Sequence, residues 1–365
     1  MRITFVIQGM GLGGAQRVAS ILLNSWVERG HEVSLLTFDD GSQTPAFHVS
    51  AKVQWRRLHL SKKSSNPFAA LLRNLSRVSL LSRAIRESKP DIVVSFIHRT
   101  NILTLLACRR LNVPVVVSER IAPGVRSIGA AWEWLRQKCY PKAAAVVVQN
   151  YTAQKYFETI CGSCLVIPNP VPMPPDRLGT SIRSAPPTII AMGRLERQKR
   201  IDILLSAFAL TRADHPEWCL RILGDGSLRH DLEKMAVSLD IAPAVSFAGA
   251  LKDPWPALQE ATIFAHTSEL EGFPNAVCEA MAAGLPVIAT HSPGAIGEIV
   301  TPGETGMLVE LNNAHAFAAA LSQLMSDREE CRRMGSNAKN YVQRFSEPDV
   351  LEQWEDLLLR LTKKA

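Results

Sequence analysis

Long apolar runs and cysteine are both scarce in this 365-residue chain, and each scarcity excludes a class of protein. No stretch reaches the roughly 18 consecutive apolar residues of a membrane-spanning helix, so we expect none. Seven cysteines are too few for a disulfide-stabilised secreted domain, and Cys161 and Cys164 form a single C-x-x-C pair, too few ligands for zinc. The first apolar run ends at Gln8, shorter than a signal-peptide core, so we expect a cytoplasmic location.

Charge is distributed unevenly along the chain. Residues 1–170 carry 22 Lys and Arg against 9 Asp and Glu, whereas residues 171–365 carry 19 against 25. A basic first half suggests an anionic partner: nucleic acid, an anionic membrane surface or a phosphorylated substrate. A chance imbalance is the alternative. Nucleic acid fits poorly, because aromatic residues are not interleaved with the basic ones. The basic segment 56–63 precedes a helical pattern over residues 68–86. One face of that pattern is apolar and Arg73 and Arg77 lie opposite; the apolar face contains Phe68, Leu71, Leu72, Leu75, Val78 and Ile85. A basic amphipathic pattern of this kind fits a membrane surface or an ordinary domain helix.

Strand and helix patterns alternate through both halves of the chain, which predicts an α/β fold of two doubly wound parallel sheets. Short β-branched runs, such as those at 3–7 and 188–192, are typical of buried parallel strands. Seven prolines between 168 and 187 predict a linker. The predicted division is an N-terminal domain 1–168, a linker 169–187, a C-terminal domain 188–345 and a terminal segment 346–365 that contains a helix. We expect ligands in a cleft at the carboxyl ends of the strands.

A glycine-rich turn, Gly9–Gly14, matches G-x-G-x-x-G after the first strand. Such a turn lets the backbone approach a phosphate at a helix N-terminus. A dinucleotide site also needs an acidic residue about 20 positions further on. Asp39 is the nearest strand-end candidate and lies 25 positions after Gly14. A dinucleotide site and a generic glycine turn beside a cleft both remain open here.

Two further motifs carry charge to strand ends in the second half. The first motif follows a predicted strand and has the sequence Gly193-Arg194-Leu195-Glu196-Arg197-Gln198-Lys199. Its cations suit a pyrophosphate. A solvated basic turn is the alternative. Glu271 and Glu279 flank the start of a helix predicted over 274–283. Two carboxylates beside a helix N-terminus are suited to bind sugar hydroxyls. The alternative is that Glu271 only balances the positive end of the helix dipole and that Glu279 is an ordinary surface residue.

These motifs together, in this order, resemble glycosyltransferase family 4, whose members have the two-Rossmann GT-B fold. The resemblance covers about residues 3–345. The sequences Gly13-Gly14-Ala15-Gln16-Arg17 and Ser118-Glu119-Arg120 look like the subgroup that builds bacterial surface polysaccharides and lipid-linked oligosaccharides. Gln16 departs from the glutamate usual in that turn. The resemblance implies a C-terminal helix that crosses back to the N-terminal domain and brings Trp354 with it.

The resemblance also implies roles for individual residues. Arg194 and Lys199 neutralise the diphosphate of the donor, while Glu271 and His98 contact the transferred sugar. A loop histidine with a structural role is the alternative for His98. Glu119 and Arg120 position the acceptor or pair with each other. The implied donor-binding residues are Gly13, Gly14, Gly193, Gly224, Gly226, Phe273, Asn275, Ala276, Glu279 (at the ribose) and Glu298.

The implied activity is a retaining transfer of a hexose-type sugar from a nucleotide-diphosphate sugar, with UDP favoured over GDP. The acceptor is a glycan or a polyprenyl-diphosphate or other lipid-linked molecule. The enzyme works at the inner face of the cytoplasmic membrane. The chain has no Asp-x-Asp motif, so we expect no metal and no cofactor. Two alternatives stay open: an NAD-dependent oxidoreductase or epimerase that uses Gly9–Gly14, and a non-catalytic basic interaction protein on the same scaffold.

Overall fold

The computed structural model describes residues 1–42, 44–60, 67–121, 128–175 and 186–363. The chain divides into two compact units. One unit is Met1–Pro170 together with Pro348–Ala365, and the other is Val171–Glu347. The middle of the predicted linker and residues 61–63 of a predicted basic segment lie outside the described residues.

The first unit contains a parallel sheet in the order β3-β2-β1-β4-β5-β6-β7. The central strands are continuous apolar runs because helices cover both faces of the sheet. Its strands are β1 (Arg2–Ile7), β2 (Glu32–Thr37), β3 (Gln54–Arg57), β4 (Ile92–Phe96), β5 (Val115–Ser118), β6 (Ala145–Val148) and β7 (Cys164–Val166). Its helices are α1 (Gly14–Glu28), α2 (Pro67–Glu87), α3 (His98–Cys108), α4 (Ala130–Cys139) and α5 (Tyr151–Glu158).

The second unit repeats this plan, with a parallel sheet in the order β10-β9-β8-β11-β12-β13. Its strands are β8 (Thr188–Met192), β9 (Cys219–Leu223), β10 (Val245–Gly249), β11 (Ile263–His266), β12 (Val287–Thr290) and β13 (Gly306–Val309). Its helices are α6 (Ile201–Thr211), α7 (Arg229–Ser238), α8 (Trp255–Glu260), α9 (Asn275–Ala282), α10 (Ile296–Ile299), α11 (Ala314–Ser326) and α12 (Arg328–Val342). The last helix of the chain is α13 (Glu347–Thr362).

The prediction of two doubly wound α/β sheets is confirmed, and both sheets have the Rossmann strand order. Two edge strands were missed. Strand β3 contains the polar sequence Gln-Trp-Arg-Arg and is mostly exposed, so it lacks an apolar run. Strand β7 has only three residues. An edge strand is stabilised by its hydrogen-bonded neighbour as much as by its own pattern, which explains why both escaped sequence analysis.

The predicted orientation of α2 was partly wrong. Sequence spacing placed Leu75 on the buried face and Arg77 opposite it, but Leu75 is 59% exposed. The Arg77 guanidinium donates to the carbonyl oxygen of Leu60 at 2.9 Å, which draws that side chain inward. Residues two positions apart lie about 200° apart around a helix, so turning Arg77 inward turns Leu75 outward. The helix buries Ile85 as expected, and it also buries Leu81, which was not predicted. The side chains of residues 67–72, including Phe68, Leu71 and Leu72 of the predicted face, lie outside the described ones.

Helix α13 contributes to the core of the first unit through Trp354. This side chain is fully buried. Its ring centroid lies 6.4 Å from that of Trp26 on α1 and 5.9 Å from that of Phe96 on β4. His31 Nε2 also lies 2.7 Å from Glu355 Oε1 on the same helix. The final helix is therefore part of the hydrophobic core that β1, β4 and α1 form.

We expect Trp354→Ala to lower the free energy of unfolding by about 3–5 kcal/mol, because the change leaves a large cavity between aromatic rings. Chemical denaturation followed by far-UV circular dichroism measures the effect. Trp134→Ala is the matched control, since Trp134 is 59% exposed in the same unit. The control is expected to change stability by no more than about 0.5 kcal/mol. Equal effects of the two substitutions would contradict the packing role of Trp354.

Candidate functional site

The charged motifs of the second unit lie in loops that follow parallel strands. Arg194 and Lys199 follow β8, Glu271 follows β11, and Glu298 follows β12. Because β8, β11 and β12 are parallel neighbours, their carboxyl ends meet at one edge of the sheet. The fold thus brings these loops to one edge of the second unit, where open α/β sheets bind ligands.

Hydrogen bonds join the loop after β8 to the loop after β11. The side-chain amide of Gln198 donates to the carbonyl oxygen of Leu270 at 2.6 Å, and the backbone N–H of Glu269 donates to the carbonyl oxygen of Gln198 at 2.9 Å. The hydroxyl of Thr267 donates to the carbonyl oxygen of Lys199 at 2.8 Å. These bonds hold the backbone of Lys199 against the loop that carries Glu271.

Lys199 and Glu271 form an ion pair in this loop junction. Lys199 Nζ lies 2.5 Å from Glu271 Oε1, and the two side chains are 20% and 12% exposed. His266 Nε2 lies 3.2 Å from the same oxygen, and the histidine side chain is 4% exposed. Burial alone raises the pKa of Glu271, but the Lys199 ammonium and the His266 imidazole outweigh it and lower that pKa to about 2. Glu271 is therefore ionised at neutral pH.

Three of the predicted glycines leave room for close contacts between the loops after β8 and β9 of this unit. Gly224 has φ +138°, and a Cβ atom there would lie 1.8 Å from the carbonyl oxygen of Gly193. A Cβ atom at Gly226 would lie 2.5 Å from the carbonyl oxygen of Leu195. At Gly193 a Cβ atom would lie 3.3 Å from Lys199 Cε. The glycines thus let the loops after β8 and β9 pack backbone to backbone, and Gly193 leaves room for the lysine stem.

Helix α9 begins at Asn275, directly after Pro274. Phe273 is buried, and its ring contacts that of Phe345 edge-on at a centroid distance of 5.8 Å. Asn275 and Ala276 are half-buried in the first turn. Glu279, in the second turn, is buried with 4% exposure. The alternative reading of Glu279 as a surface glutamate is therefore wrong.

Two other predicted donor residues take different positions at this edge. Arg194 is exposed. Glu298 lies half-buried on α10, and its carbonyl oxygen accepts a hydrogen bond from the Tyr341 hydroxyl at 2.6 Å. The loop before α10 contacts the loop after β11, because the N–H of Glu271 donates to the carbonyl oxygen of Pro293.

In the first unit, the predicted glycine turn opens α1 at Gly14, with Gly13 as its N-cap. The first turn of α1 contains no acidic residue. Asp39, the acidic residue considered for a dinucleotide, accepts a hydrogen bond from the N–H of Gly41 at 3.0 Å and lies 3.5 Å from the Arg57 guanidinium.

His98 is the first residue of α3, directly after the loop residue that follows β4. Burial and the nearby Arg99 and Arg136 cations lower the pKa of His98 to about 4. The imidazole is therefore neutral at pH 7, in a form that can donate one hydrogen bond and accept another.

Glu119 and Arg120 do not pair with each other in the described structure. The Tyr140 hydroxyl donates to Glu119 Oε1, and burial raises the pKa of Glu119 to about 7. The Arg120 guanidinium donates to Asn169 Oδ1 at 2.6 Å and stacks 4.0 Å from the centroid of Phe96. Burial lowers the pKa of Arg120 to about 9. These contacts tie both side chains into the core of the first unit, and their role at the acceptor stays a prediction.

His266 was not among the predicted site residues. Its only distinguishing feature in the sequence is its place as the last residue of a predicted strand, five positions before Glu271. Arg200 was also missed. It has a left-handed backbone (φ 49°), and its guanidinium binds Asp202, Glu269 and Asn312.

No group of three or more His, Cys, Asp or Glu side chains is placed to share a metal ion in the part of the chain that the structure describes. Among the same residues, no helix combines the length and the apolar character that crossing a membrane requires.

Each of the two units contains a parallel sheet in the Rossmann strand order, which is the architecture of the GT-B fold. HepE of Anabaena, solved in complex with UDP, has this fold: it superimposes with a TM-score of 0.81 at 19% identity and covers 99% of this chain and 100% of its own. At that identity the similarity establishes the fold.

Two family models match the chain in succession. The "Glycosyl transferase 4-like domain" matches residues 13–170, and "Glycosyl transferases group 1" matches residues 175–341. The chain belongs to the group 1 glycosyltransferases, with a glycosyl transferase 4-like domain as its N-terminal half. The predicted family is thereby confirmed, and the chain is a glycosyltransferase.

Two relatives align with nearly the whole chain. The first, from Campylobacter jejuni, is named GalNAc-alpha-(1->4)-GalNAc-alpha-(1->3)-diNAcBac-PP-undecaprenol alpha-1,4-N-acetyl-D-galactosaminyltransferase. It is 26% identical over 368 residues and covers 98% of each chain. The second, the lipopolysaccharide core biosynthesis glycosyltransferase LpsE of Rhizobium meliloti, is 25% identical over 364 residues. That alignment covers 95% of this chain and 96% of the relative.

The buried Glu119 carboxyl makes stability depend on pH. Its pKa rises from the ordinary value of 4.5 to about 7 on folding, so the folded state binds the proton more tightly. Glu119 by itself therefore lowers the free energy of unfolding as pH rises from 4.5 to about 7. His98 acts in the opposite direction, because its pKa falls from 6.5 to about 4 on folding. Glu119→Gln keeps an acceptor for Tyr140, so in urea denaturation across that range its slope of stability against pH should be more positive than that of the wild type.

Glu28→Gln is the control for this measurement, because Glu28 is an exposed glutamate on α1 of the same unit. It should retain the wild-type slope. A wild-type slope in Glu119→Gln as well would show that another group causes the pH dependence.

Proposed function

We propose that this protein is a retaining glycosyltransferase. It transfers a hexose-type sugar from a nucleotide-diphosphate sugar, UDP before GDP, to a glycan or lipid-linked acceptor in cell-surface polysaccharide synthesis. The observation that carries the proposal is the Lys199–Glu271 pair at the strand ends of the second unit. The Campylobacter and Rhizobium relatives support the acceptor class by their names, and the UDP complex of HepE supports the donor base.

The donor's diphosphate needs positive charge close to the bond that breaks. Lys199 supplies a half-buried ammonium, and Arg194 supplies an exposed guanidinium on the same loop. Both stabilise the charge that develops on the leaving phosphate. The amide-bearing start of α9, with Phe273, Asn275 and Ala276, adds donors for phosphate or sugar oxygens.

The two glutamates serve as hydrogen-bond acceptors in this mechanism. Glu271, with its pKa near 2, accepts hydrogen bonds from hydroxyls of the transferred sugar. So weak a base removes a proton from the acceptor poorly. Glu279 receives the ribose hydroxyls from its position in the second turn of α9.

The chemical step then needs no nucleophile from the protein. The acceptor hydroxyl attacks the anomeric carbon from the face that the diphosphate leaves, the carbon–oxygen bond to the diphosphate breaks, and the leaving phosphate takes the acceptor's proton. Configuration is retained. Neutral His98 contacts the transferred sugar, and Glu119 and Arg120 shape the acceptor side. No metal is required. Membership of a glycosyltransferase family favours this reaction over NAD-dependent oxidoreduction and over a purely binding role.

We also propose that the first unit binds the anionic inner face of the cytoplasmic membrane. Helices α2 and α4 both contact α3, so they lie in one helical layer on the sheet. Leu75 and Leu80 on α2 and Trp134 on α4 are exposed, and the same two helices carry the exposed cations Arg86 and Lys138. Exposed apolar side chains among cations suit a negatively charged lipid surface.

Nucleotide binding tests the donor assignment. UDP at 100 times its dissociation constant should stabilise the protein by about 2.7 kcal/mol, which thermal melting detects as a shift that EDTA does not change. Release of UDP from UDP-hexoses measures turnover. Replacing Lys199 alone leaves a buried carboxylate unpaired, so the informative variant is the double substitution Lys199→Ala/Glu271→Gln. It should lose turnover by at least about 100-fold while still folding.

Lys252→Ala, which removes an exposed lysine of the same unit, is the control and should keep wild-type turnover. Wild-type turnover in the double variant would contradict the site assignment. A thermal shift with NAD alone would contradict the proposed reaction.

Vesicle sedimentation tests the membrane proposal. Binding to phosphatidylcholine vesicles should increase when phosphatidylglycerol is added and fall as salt rises. Trp134→Ser should weaken binding about tenfold, since an inserted indole is lost. Val237→Ser is the control, because Val237 is 68% exposed in the second unit. Equal binding to neutral and anionic vesicles would refute an electrostatic contribution.

A further inference from the structure

A single carboxylate oxygen of Glu271 faces two groups that can hold it. Lys199 Nζ lies 2.5 Å from Oε1, and His266 Nε2 lies 3.2 Å from the same atom. The histidine contact is not aligned as a hydrogen bond, and Nε2 has no other hydrogen-bond partner among the residues that the structure describes. A buried ring nitrogen therefore faces an oxygen that the lysine currently holds.

The histidine ring has little freedom to move. His266 ends β11, where its backbone pairs with Ala289 of β12. Its ring stacks on Phe264 at a centroid distance of 6.4 Å, and only 4% of the side chain is exposed. The Glu271 side chain lies in a loop, so it is the carboxylate that can rotate toward His266.

The ion pair creates a conflict once a donor arrives. The lysine that would neutralise the diphosphate is the main partner of Glu271 in the structure. If the ammonium turns to the phosphates, a carboxylate that is only 12% exposed loses that partner. A buried carboxylate without a partner is unfavourable, so a second group must take over.

We propose that His266 is a positioning residue that holds Glu271 Oε1 when Lys199 turns to the donor phosphates. The inference rests on the proposed function, because it needs a donor diphosphate. The neutral imidazole donates its Nε2–H to Oε1, and Glu271 stays directed at the sugar hydroxyls. No proton leaves His266 in this exchange of partners.

The first test does not depend on the donor. Lys199 and Glu271 are the charged groups that face His266. Long-range 1H–15N NMR on the full chain, with protonated 15N-histidine rings in a deuterated background and the resonance assigned by its loss in His266→Gln, follows this ring. Lys199→Gln should raise the pKa of His266 and Glu271→Gln should lower it, because each removes one opposing charge. If the ring does not titrate before acid unfolding, its 15N shifts at pH 7 should show a protonated Nε2. An unprotonated Nε2, or unchanged titration in both variants, overturns the proposal.

The second test measures function. His266→Leu removes the donor, whereas His266→Gln keeps an N–H. His266→Leu should lower kcat with a UDP-hexose about 10- to 100-fold, because the loss of one hydrogen bond to a charged group has an effect of this size. His266→Gln should retain most of the wild-type kcat. Phe208→Leu, at a fully buried position on α6 of the same unit, is the control for altered core packing and should retain wild-type kcat. Wild-type kcat in His266→Leu overturns the proposal, as does an equal loss in Phe208→Leu.

Nucleotide titration separates this proposal from the one on which it rests. Saturating UDP should move the His266 Nε2 proton resonance downfield as its hydrogen bond to Glu271 forms. UDP binding that leaves this resonance unchanged counts against the exchange of partners. If neither UDP nor GDP binds the wild-type protein, the proposed function is wrong, and the exchange of partners at Glu271 is wrong with it. The titration of His266 in Lys199→Gln and Glu271→Gln then still decides whether the charges of Lys199 and Glu271 act on the His266 ring.

Discussion

A carboxylate that is almost fully buried needs a cation beside it. Glu271 is such a carboxylate, and this need explains why the loops after β8 and β11 of the second unit meet. The ion pair with Lys199 lowers the pKa of the carboxyl to about 2 despite its burial. Because the lysine comes from the loop after β8 and the glutamate from the loop after β11, the pair joins two strand ends. One backbone hydrogen bond and side-chain hydrogen bonds from Gln198 and Thr267 hold the same two loops together.

The loop after β9 packs closely against the loop after β8, on the side away from the loop after β11. Gly224 and Gly226 let the loop after β9 lie against the residues that follow β8, where any side chain would collide with carbonyl oxygens. The N–H of Leu195 donates to the carbonyl oxygen of Asp225 at 2.9 Å across this contact. The loop that carries Arg194 and Lys199 is thus held by neighbours on both sides. In the proposed function, this loop neutralises the donor diphosphate without first having to be ordered.

The first unit uses its buried polar groups differently. Glu119 and Arg120 follow β5 as predicted, yet each is bound by a separate internal partner, Tyr140 and Asn169. Their adjacency in sequence suggested a mutual ion pair. Successive residues at a strand end point in different directions, so the surrounding core determined their partners. In α2, likewise, Arg77 is directed toward the carbonyl oxygen of Leu60 and Leu75 is exposed, against the sequence spacing.

The sequence by itself determined the α/β class, the repeat of two parallel sheets and the family. Buried parallel strands need continuous apolar runs, and glycine turns and charged strand ends occur at set places in the chain. Only the tertiary structure decided which charges meet. Lys199 and Glu271 lie 72 positions apart, and His266 looked like an ordinary strand residue. Contacts between distant loops depend on strand order and side-chain direction, which local periodicity does not contain.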